Sequence, residues 1–476
     1  MNKPSRRQML MSAGRGLSAV ALAGMLEQDG LLPKAQAAAV NPLAPKPPHF
    51  PPKAKSVIWL HMHGAPATID LFDYKPDLIR LAGQPVPDSF GKIELGTAGG
   101  RGPLLATKRT WKQYGQSGAW FSDWLPNLAQ KADDLCFIKS KTEGSTHIIC
   151  LYRCNTGALT AGRPSMGAWT LYGLGSANQD LPGFVVLTDN SGGIGEGRGV
   201  VGGVANWSSG FLPAVYQGTA LRQGDSPILD LQRPGLVGAN EQRATLDLLK
   251  NVNQHYGSKY PTDDELEARI ESYELAYRMQ VAAPEAVDLS KEPEATKKLY
   301  GLDDDVTTPY GTNLLRARRL VERGVRFIQV YSGQSSSWDA HHDIEQNHGQ
   351  MSKIVDKPVA GLLTDLKSRG LLDTTLVVWT AEFGRTPYSQ SGDGRDHNPW
   401  GFTSWLAGGG IKAGISYGET DAIGLRAISN PVDTHDLNAT ILNQLGLNHV
   451  NLTFLHEGRS ERPTVVYGHV VKDILA

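Results

Sequence analysis

The sequence predicts an α/β fold whose central, mostly parallel sheet is covered by helices on both faces. Short apolar runs typical of buried strands recur at 56–62, 135–140, 183–188, 325–332, 375–384 and 403–409. Segments with the three-and-four spacing of amphipathic helices lie at 262–281, 312–323, 350–369 and 435–446. Strands that are separated by helical segments are typical of a parallel sheet buried on both faces.

A helical insertion is predicted between the third and fourth of these strands. Residues 241–300 are charged, have helical spacing and contain no apolar run typical of a strand. The helix at 262–281 opens with the sequence TDDE, which is a good N-terminal cap. Disorder in part of 284–308 is the alternative for the end of this segment.

The first residues are typical of a twin-arginine signal peptide, which directs folded proteins across a membrane. Arg6 and Arg7 precede a weakly apolar run, and the small residues at 35–37 fit a cleavage site. A membrane-anchoring helix is the alternative, but the run is short for a span and contains Arg15. We therefore expect residues 1–37 to be removed. The mature protein would be periplasmic or secreted after passing the twin-arginine export machinery.

The mature chain is predicted to be one large domain behind a tether. Residues 38–55 are rich in proline, which favours an extended tether over a packed element. The folded domain is expected at 56–476. An apolar fraction of 40% is ordinary for a globular protein. No later segment is long and apolar enough for a spanning helix, so we expect no stable membrane span after cleavage.

Charge and cysteine content argue against two classes of protein. The formal net charge is −1, which gives no basic footprint for nucleic acid. The cysteines are Cys136, Cys150 and Cys154, and an odd number in one short stretch does not make a disulfide scaffold. Cys150 and Cys154 could form a disulfide, but two buried thiols on one helix face are the favoured interpretation.

Side chains with metal-binding chemistry follow one of the predicted strands closely. After the strand at 325–332 come Asp339, His341 and His342. Mixed carboxylate and imidazole ligands at short spacing suit zinc, manganese or iron better than calcium. The alternative is a polar loop in which a histidine caps the next helix.

Two further stretches place similar side chains near strand ends. The apolar run at 375–384 has Glu382 near its end, and His397 precedes another predicted strand. A buried carboxylate is costly unless it is paired or bound to a cation, although Glu382 could simply pair with Arg385. The carboxyl ends of strands in an open α/β sheet form its ligand-binding edge. We therefore expect these stretches to converge on one site.

The loop after the first strand offers a further oxygen ligand. If the sheet is parallel, this loop opens on the same edge as the stretches above, so Asp70 or Asp73 could reach the metal. Both residues could instead cap a loop or a helix.

Several longer segments form a distinctive set, in chain order SVIWLHMHGAPATIDLFDYKP, NTG, GRPSMGAW, ARRLVERGVRFIQVYSG, WDAHH, AEFGRTP, GRDHNPWGFTSWLAGGGIKAG and HDLNATILNQLGL. Together with the twin-arginine start, they resemble the exported proteins grouped as domain-of-unknown-function family 1501 (DUF1501). The resemblance extends over almost the whole mature chain. Proteins of this family are regarded as sulfatase-like relatives within the alkaline phosphatase superfamily.

The resemblance implies an alkaline-phosphatase-like fold with one or two divalent metals at the carboxyl ends of the strands. It also implies a nucleophile that attacks a phosphate or sulfate ester. The positions similar to the early Asp, the Asp and His pair, the later Asp and the final His of that superfamily are Asp70, Asp339, His341 or His342, Glu382 and His397.

The chain departs from the superfamily pattern at two positions. His147 stands where relatives have Ser, Thr or a modified Cys, and the C-x-P-x-R signature of sulfatases is missing after Cys150. Phe383 replaces the His of the Asp-His pair, and an apolar ring cannot bind a metal. His147, Ser145, Thr146 or a water activated by the metal are the candidate nucleophiles.

These observations predict an exported metal-dependent hydrolase of phosphate or sulfate esters, acting on a small-molecule or polysaccharide ester. His147 is expected to act as nucleophile or general acid. Arg385 and Arg395 are expected to bind the anionic group, because guanidinium forks match its oxygens. The expected cofactor is a divalent metal, zinc or manganese, as one or two ions. The alternative is a non-catalytic extracytoplasmic binding protein for anionic polysaccharide on a degenerate sulfatase-like fold.

Overall fold

The computed structural model describes residues 41–91, 93, 101–188, 199–222, 228, 231, 238–257, 264–333, 337–390 and 392–476. The predicted signal peptide lies outside these residues. Within the described part of the chain, no helix has the length and apolar character needed to cross a membrane.

The strands, numbered in chain order, are β1 Ser56–Met62, β2 Trp111–Tyr114, β3 Ala119–Ser122, β4 Cys136–Thr142, β5 Phe184–Thr188, β6 Thr219–Leu221, β7 Phe327–Ser332, β8 Thr375–Thr380, β9 Gly384–Ser389, β10 Arg395–Asn398, β11 Phe402–Ala407, β12 Ile415–Tyr417, β13 Glu419–Thr420, β14 Ala427–Ser429, β15 Val432–Asp433, β16 Phe454–His456 and β17 Arg459–Glu461. The α-helices are α1 Pro76–Arg80, α2 His147–Thr156, α3 Met166–Leu174, α4 Ala239–Gly257, α5 Asp264–Val287, α6 Glu294–Leu299, α7 Thr308–Glu322, α8 Ile344–Ser368 and α9 Thr434–Gln444.

The central sheet has nine strands, eight of them in the order β12-β4-β11-β8-β1-β7-β5-β6, with β15 also paired to β4. Strand β1 lies in the middle and pairs in parallel with both β7 and β8. Strand β11 runs antiparallel to both of its neighbours, β8 and β4. The predicted mostly parallel sheet is therefore confirmed.

The position of β11 matters for the site. Its first residue, Phe402, pairs with Lys141 near the end of β4. The N-terminal end of β11 consequently lies at the edge where the parallel strands have their carboxyl ends. The segment that precedes β11 and carries His397 is thereby brought to that edge as well.

Side chains alternate between the two faces of the sheet, as expected for a strand buried on both sides. In β1, Ile58 and Leu60 belong to one hydrophobic core, which includes side chains of α7 and α8. Val57 and Trp59 belong to the other core, which includes side chains of α3 and α9. Helices thus cover both faces.

The segment predicted as a helical insertion is helical, since α4, α5 and α6 together occupy most of the described part of 239–299 and no strand lies among the described residues there.

The segment predicted as a proline-rich tether is bound to the domain where it is described. Lys46 N–H donates to Leu174 O at 2.9 Å, and Lys53 N–H donates to Gln444 O at 2.9 Å. Residues 41–55 therefore lie along the domain and bind it through main-chain groups.

The three cysteines are free and buried. Cys150 and Cys154 both lie on α2, four residues apart. Burial raises the pKa of the Cys150 thiol to about 12, so this thiol is protonated at neutral pH and packs as a small apolar group.

Candidate metal site

The side chains predicted to bind a metal come from loops at the carboxyl edge of the sheet. Asp339 and His341 follow β7, Glu382 follows β8, and His397 lies in β10 just before β11. His147 is the first residue of α2, directly after the loop that leaves β4. Four separate segments of the chain therefore meet at this edge, including the three stretches that were expected to converge.

Asp339 lies at the centre of this group. Its Oδ1 atom is 3.0 Å from His341 Nε2 and 3.3 Å from His397 Nε2. Its Oδ2 atom is 3.2 Å from His147 Nε2. Ligand atoms of His147, Asp339 and His397 all lie within 4.8 Å of one another. Three imidazoles and one carboxylate therefore surround one point.

The hydrogen bonds on the far side of the rings determine which nitrogens face that point. His397 Nδ1 is 2.7 Å from the carbonyl oxygen of Ser145, which can only accept a hydrogen bond. His341 Nδ1 likewise contacts the side-chain oxygen of Gln390. Both Nδ1 atoms must carry the proton, so both Nε2 atoms present lone pairs, and these are 3.1 Å apart. Two facing lone pairs repel each other, and a metal ion bound by both nitrogens would remove that repulsion.

His147 follows the same arrangement. Its Nδ1 atom is 2.8 Å from Glu382 Oε1, which leaves Nε2 directed towards Asp339. This Nε2 atom is buried and makes no hydrogen bond of acceptable geometry to any described residue. A buried nitrogen without a hydrogen bond is costly unless it binds something else.

The acidic groups of the site are held in their charged form. Burial opposes ionisation of Asp339, but Arg385 and the adjacent imidazoles of His147, His341 and His397 bring the pKa of its carboxyl well below the usual range. Burial also disfavours charge on His147, yet the neighbouring Asp339 and Glu382 carboxylates outweigh this and raise its pKa to about 9. Without a metal, His147 is thus a buried cation between two carboxylates at neutral pH.

These residues fit a divalent metal. Ligand atoms about 2.1 Å from zinc are separated from each other by about 3.0 to 3.4 Å. The distances of 3.0, 3.3 and 3.1 Å among Asp339 Oδ1, His341 Nε2 and His397 Nε2 fall in that range. Each Nδ1 also has a hydrogen-bond acceptor behind it, which is the usual arrangement for metal-binding histidines. Imidazole-rich sites of this kind suit zinc, and also manganese or iron.

Glu382, predicted to be a ligand, lies one step further out. Its side chain is fully buried, its Oε1 accepts from Gly64 N–H at 2.8 Å and contacts His147 Nδ1, and its Oε2 is 3.1 Å from His61 Nε2. These contacts use both carboxylate oxygens. Glu382 therefore orients His147 and is not directed at the proposed metal position. His147, predicted as nucleophile or general acid, instead presents its Nε2 to Asp339.

The prediction that Asp70 binds a metal and Arg395 binds an anion does not fit the structure, because the two side chains bind each other. Arg395 Nε and Nη2 donate to the two Asp70 oxygens at 2.7 and 2.8 Å, and both side chains are almost fully buried. Such a bidentate pair leaves neither group directed at the His147, Asp339 and His397 group.

Arg385 is also committed to the protein. Its Nε donates to Ala65 O at 2.8 Å, its Nη1 to Arg395 O at 3.2 Å, and its Nη2 contacts Gly64 O and Asp339. The side chain is fully buried. Its predicted role in binding an anionic group is replaced by a role in holding Asp339 and the loop after β1.

Two other predicted positions lie at the margin of the site. His342 is exposed, next to His341 in the loop after β7. The ring of Phe383 packs 4.7 Å from the His147 ring and 4.3 Å from the His397 ring, measured between centroids. Phe383 thus forms an apolar wall for two of the imidazoles, in agreement with the expectation that it binds no metal.

The comparison with known families agrees with the resemblance. A family model described as protein of unknown function (DUF1501) matches residues 54–475. The chain belongs to the DUF1501 family. No curated protein matches this DUF1501 chain at a significant level.

Solved structures that resemble the DUF1501 chain are distant. The alkaline phosphatase from the Antarctic bacterium TAB5 is 11% identical with a TM-score of 0.34, over 83% of this chain and 99% of that one. A sulfatase from Pseudoalteromonas sp. is 12% identical with a TM-score of 0.34, over 90% and 71% of the chains. A phosphonate monoester hydrolase from Silicibacter pomeroyi is 12% identical with a TM-score of 0.35, over 74% and 71%.

Proposed function

We propose that this DUF1501 protein is an exported, divalent-metal-dependent hydrolase of phosphate or sulfate esters. The observation that carries the proposal is the convergence of three imidazole Nε2 atoms on the Asp339 carboxylate, with an acceptor behind every ring. Asp339, His147, His341 and His397 would hold one zinc or manganese ion. The twin-arginine start supports a periplasmic or secreted location, because that route carries proteins that fold with their metal before export.

A bound divalent cation would act as a Lewis acid on an oxygen of the ester. The protein itself supplies orientation: Glu382 fixes the His147 ring, and the Ser145 carbonyl fixes the His397 ring. His147 is no longer assigned as nucleophile, since both of its nitrogens face carboxylates. The hydroxyl groups of Ser145 and Thr146 remain candidates, and Thr146 is exposed immediately before the metal-site helix.

The N-terminus of α2 is the group that would bind the anionic oxygens. Both arginines assigned to that role are used elsewhere, whereas the first turn of α2 begins at His147 inside the site. Among the described residues, no side chain caps this end of the helix. The main-chain N–H groups at a helix N-terminus bind phosphate and sulfate oxygens favourably.

The proposal is tested on protein purified from its native compartment. We expect close to one zinc or manganese per chain by elemental analysis, and turnover of at least one ester in a broad panel of aryl phosphates and sulfates. The variant Asp393→Asn should keep both the metal and the turnover. Asp393 accepts from Asp343 N–H in the neighbouring loop and lies outside the cluster of His147, Asp339, His341 and His397. Absence of stoichiometric divalent metal together with no hydrolysis of any ester would refute the proposal.

A second candidate function is a non-catalytic binding protein for anionic polysaccharide. It is favoured by one observation, the replacement of the superfamily histidine by Phe383, whose ring covers two imidazoles. In this case the metal would hold the loops in place without turnover. Binding on an array of sulfated glycans, combined with bound metal and no ester hydrolysis, would support this function over the first.

A further inference from the structure

A buried histidine behind the metal site has no role in the proposed reaction. His61 is the penultimate residue of β1, near the carboxyl end of the strand, and its side chain is fully buried. The other residues of this strand are Ser56, apolar side chains and Met62, so an imidazole here is exceptional. Burying it costs free energy unless both of its nitrogens are satisfied.

The contacts of His61 fix its tautomer. Trp59 Nε1 lies 3.4 Å from His61 Nδ1, and an indole N–H can only donate a hydrogen bond. His61 Nδ1 is therefore the acceptor, and the proton resides on Nε2. That Nε2 lies 3.1 Å from Glu382 Oε2 and donates to it.

Glu382 passes this orientation to the metal site. With Oε2 bonded to His61, Oε1 accepts from Gly64 N–H and from His147 Nδ1, both at 2.8 Å. An acceptor behind Nδ1 leaves the Nε2 lone pair of His147 directed towards Asp339. The contacts form one chain, from Trp59 through His61 and Glu382 to His147.

We infer that His61 is a positioning residue that acts through Glu382 to hold His147 in the metal-binding orientation. This inference rests on the proposed metal site, but not on the ester chemistry. A merely structural role, such as packing of the His61 ring against Tyr331 at 5.3 Å between centroids, would affect stability alone. Positioning requires in addition that the donor at Nε2 controls metal affinity.

The test uses cobalt(II) as the probe ion on the full mature protein. His61→Leu removes the donor, and His61→Gln keeps a side-chain N–H at about the place of Nε2. We expect His61→Leu to weaken cobalt binding about 10- to 100-fold and to change the visible cobalt spectrum, as is typical when an outer hydrogen-bond partner is lost. His61→Gln should recover most of the affinity.

A second variant covers the case in which His61→Leu does not fold. Trp59→Phe keeps an aromatic ring in the core and removes only the indole N–H, so it should weaken cobalt binding by a smaller factor. Cobalt affinity and spectrum like wild type in whichever of these variants folds would overturn the inference, as would a wild-type protein that binds no cobalt. Cobalt binding that depends on His61, with no ester hydrolysis, would support the inference and favour the non-catalytic binding function over the hydrolase.

Discussion

Asp339 Oδ2 lies 3.2 Å from His147 Nε2, although the two residues lie on segments that are far apart in sequence. The nitrogen is buried, makes no hydrogen bond of acceptable geometry to any described residue, and faces a carboxylate that two further imidazoles approach. A metal ion at the proposed site would satisfy all four groups at once. This relationship is the basis for the first three predictions.

Replacing Asp339 by Asn should abolish stoichiometric metal binding. The substitution keeps the size of the side chain but removes the charge at the centre of the three imidazoles, and it leaves Arg385 without its carboxylate partner. Elemental analysis of the purified variant should give well under one zinc or manganese per chain. The Asp393→Asn control should retain the metal, and full occupancy in Asp339→Asn would contradict the assignment.

The variant Glu382→Gln tests whether Glu382 binds the metal itself or orients the proposed ligand His147. Because Glu382 contacts His147 and not the proposed metal, we expect affinity for zinc to fall about 10- to 100-fold while one ion still binds at saturation. His147→Ala removes a ligand and should cost more affinity than this. Competition titration with a zinc chelator measures both values. A larger loss for Glu382→Gln than for His147→Ala would reverse the assignment.

Metal binding should release a proton from His147. In the metal-free protein the neighbouring Asp339 and Glu382 carboxylates overcome the effect of burial and raise the pKa of His147 to about 9. A metal ligand must lose that proton. At pH values below about 9, metal affinity should therefore rise about tenfold for each unit by which the pH is raised. Isothermal titration in buffers of different ionisation enthalpy at pH 8 counts the protons released. Release of none would show that His147 is not a ligand.

The sequence predicted which segments meet, but not which atoms bind each other. Apolar runs located β1, β7 and β8, and parallel strands place their carboxyl ends at one edge, so Asp339 and His397 could be assigned to one site. That Glu382 orients His147 could not be predicted, because it depends on the contacts of Glu382 with His61, Gly64 and His147, which only the fold brings together. The contacts behind His147, from His61 through Glu382, have one indication in the sequence of the described residues. This is the imidazole of His61 within an otherwise mostly apolar strand.

Long-range ion pairs were equally inaccessible. Asp70 and Arg395 are 325 residues apart, and nothing in the sequence indicates that they pair. Only the packed structure shows that they bind each other bidentately and are buried. A charged residue near a strand end is therefore a weak indication of function unless its partner is known.

Asp70→Asn should destabilise the protein without removing the metal. It leaves the Arg395 guanidinium buried without its carboxylate, and breaking a buried pair in this way costs about 3 to 5 kcal/mol. Urea unfolding of the metal-loaded protein measures the change in free energy. The matched control is Asp77→Asn, because Asp77 pairs with Arg80 on the surface, where a pair contributes at most about 1 kcal/mol. Loss of metal from Asp70→Asn would restore Asp70 as a ligand.

Stability should fall in mild acid because of His348. Its Nε2 accepts from Ala67 N–H at 2.8 Å, its Nδ1 lies 3.1 Å from Asn347 Oδ1, and the ring is fully buried. Burial, with smaller contributions from Arg385 and Arg395, holds the pKa of His348 well below its usual value. The unfolded chain takes up this proton near pH 6.5 and the folded chain does not. The stabilisation is therefore present above pH 6.5 and is lost as the pH falls.

Because one proton is involved, the free energy of unfolding should fall by about 1.4 kcal/mol for each unit of pH below 6.5. His348→Gln keeps a side-chain oxygen that can accept from Ala67 N–H but does not titrate, so the free energy of unfolding should depend less steeply on pH. Urea unfolding of metal-free protein at pH 7, 6 and 5 measures this slope. The control His469→Gln alters an imidazole that is 96% exposed and should keep the wild-type slope. Equal slopes for wild type and His348→Gln would show that His348 takes up its proton as readily in the fold as in the unfolded chain.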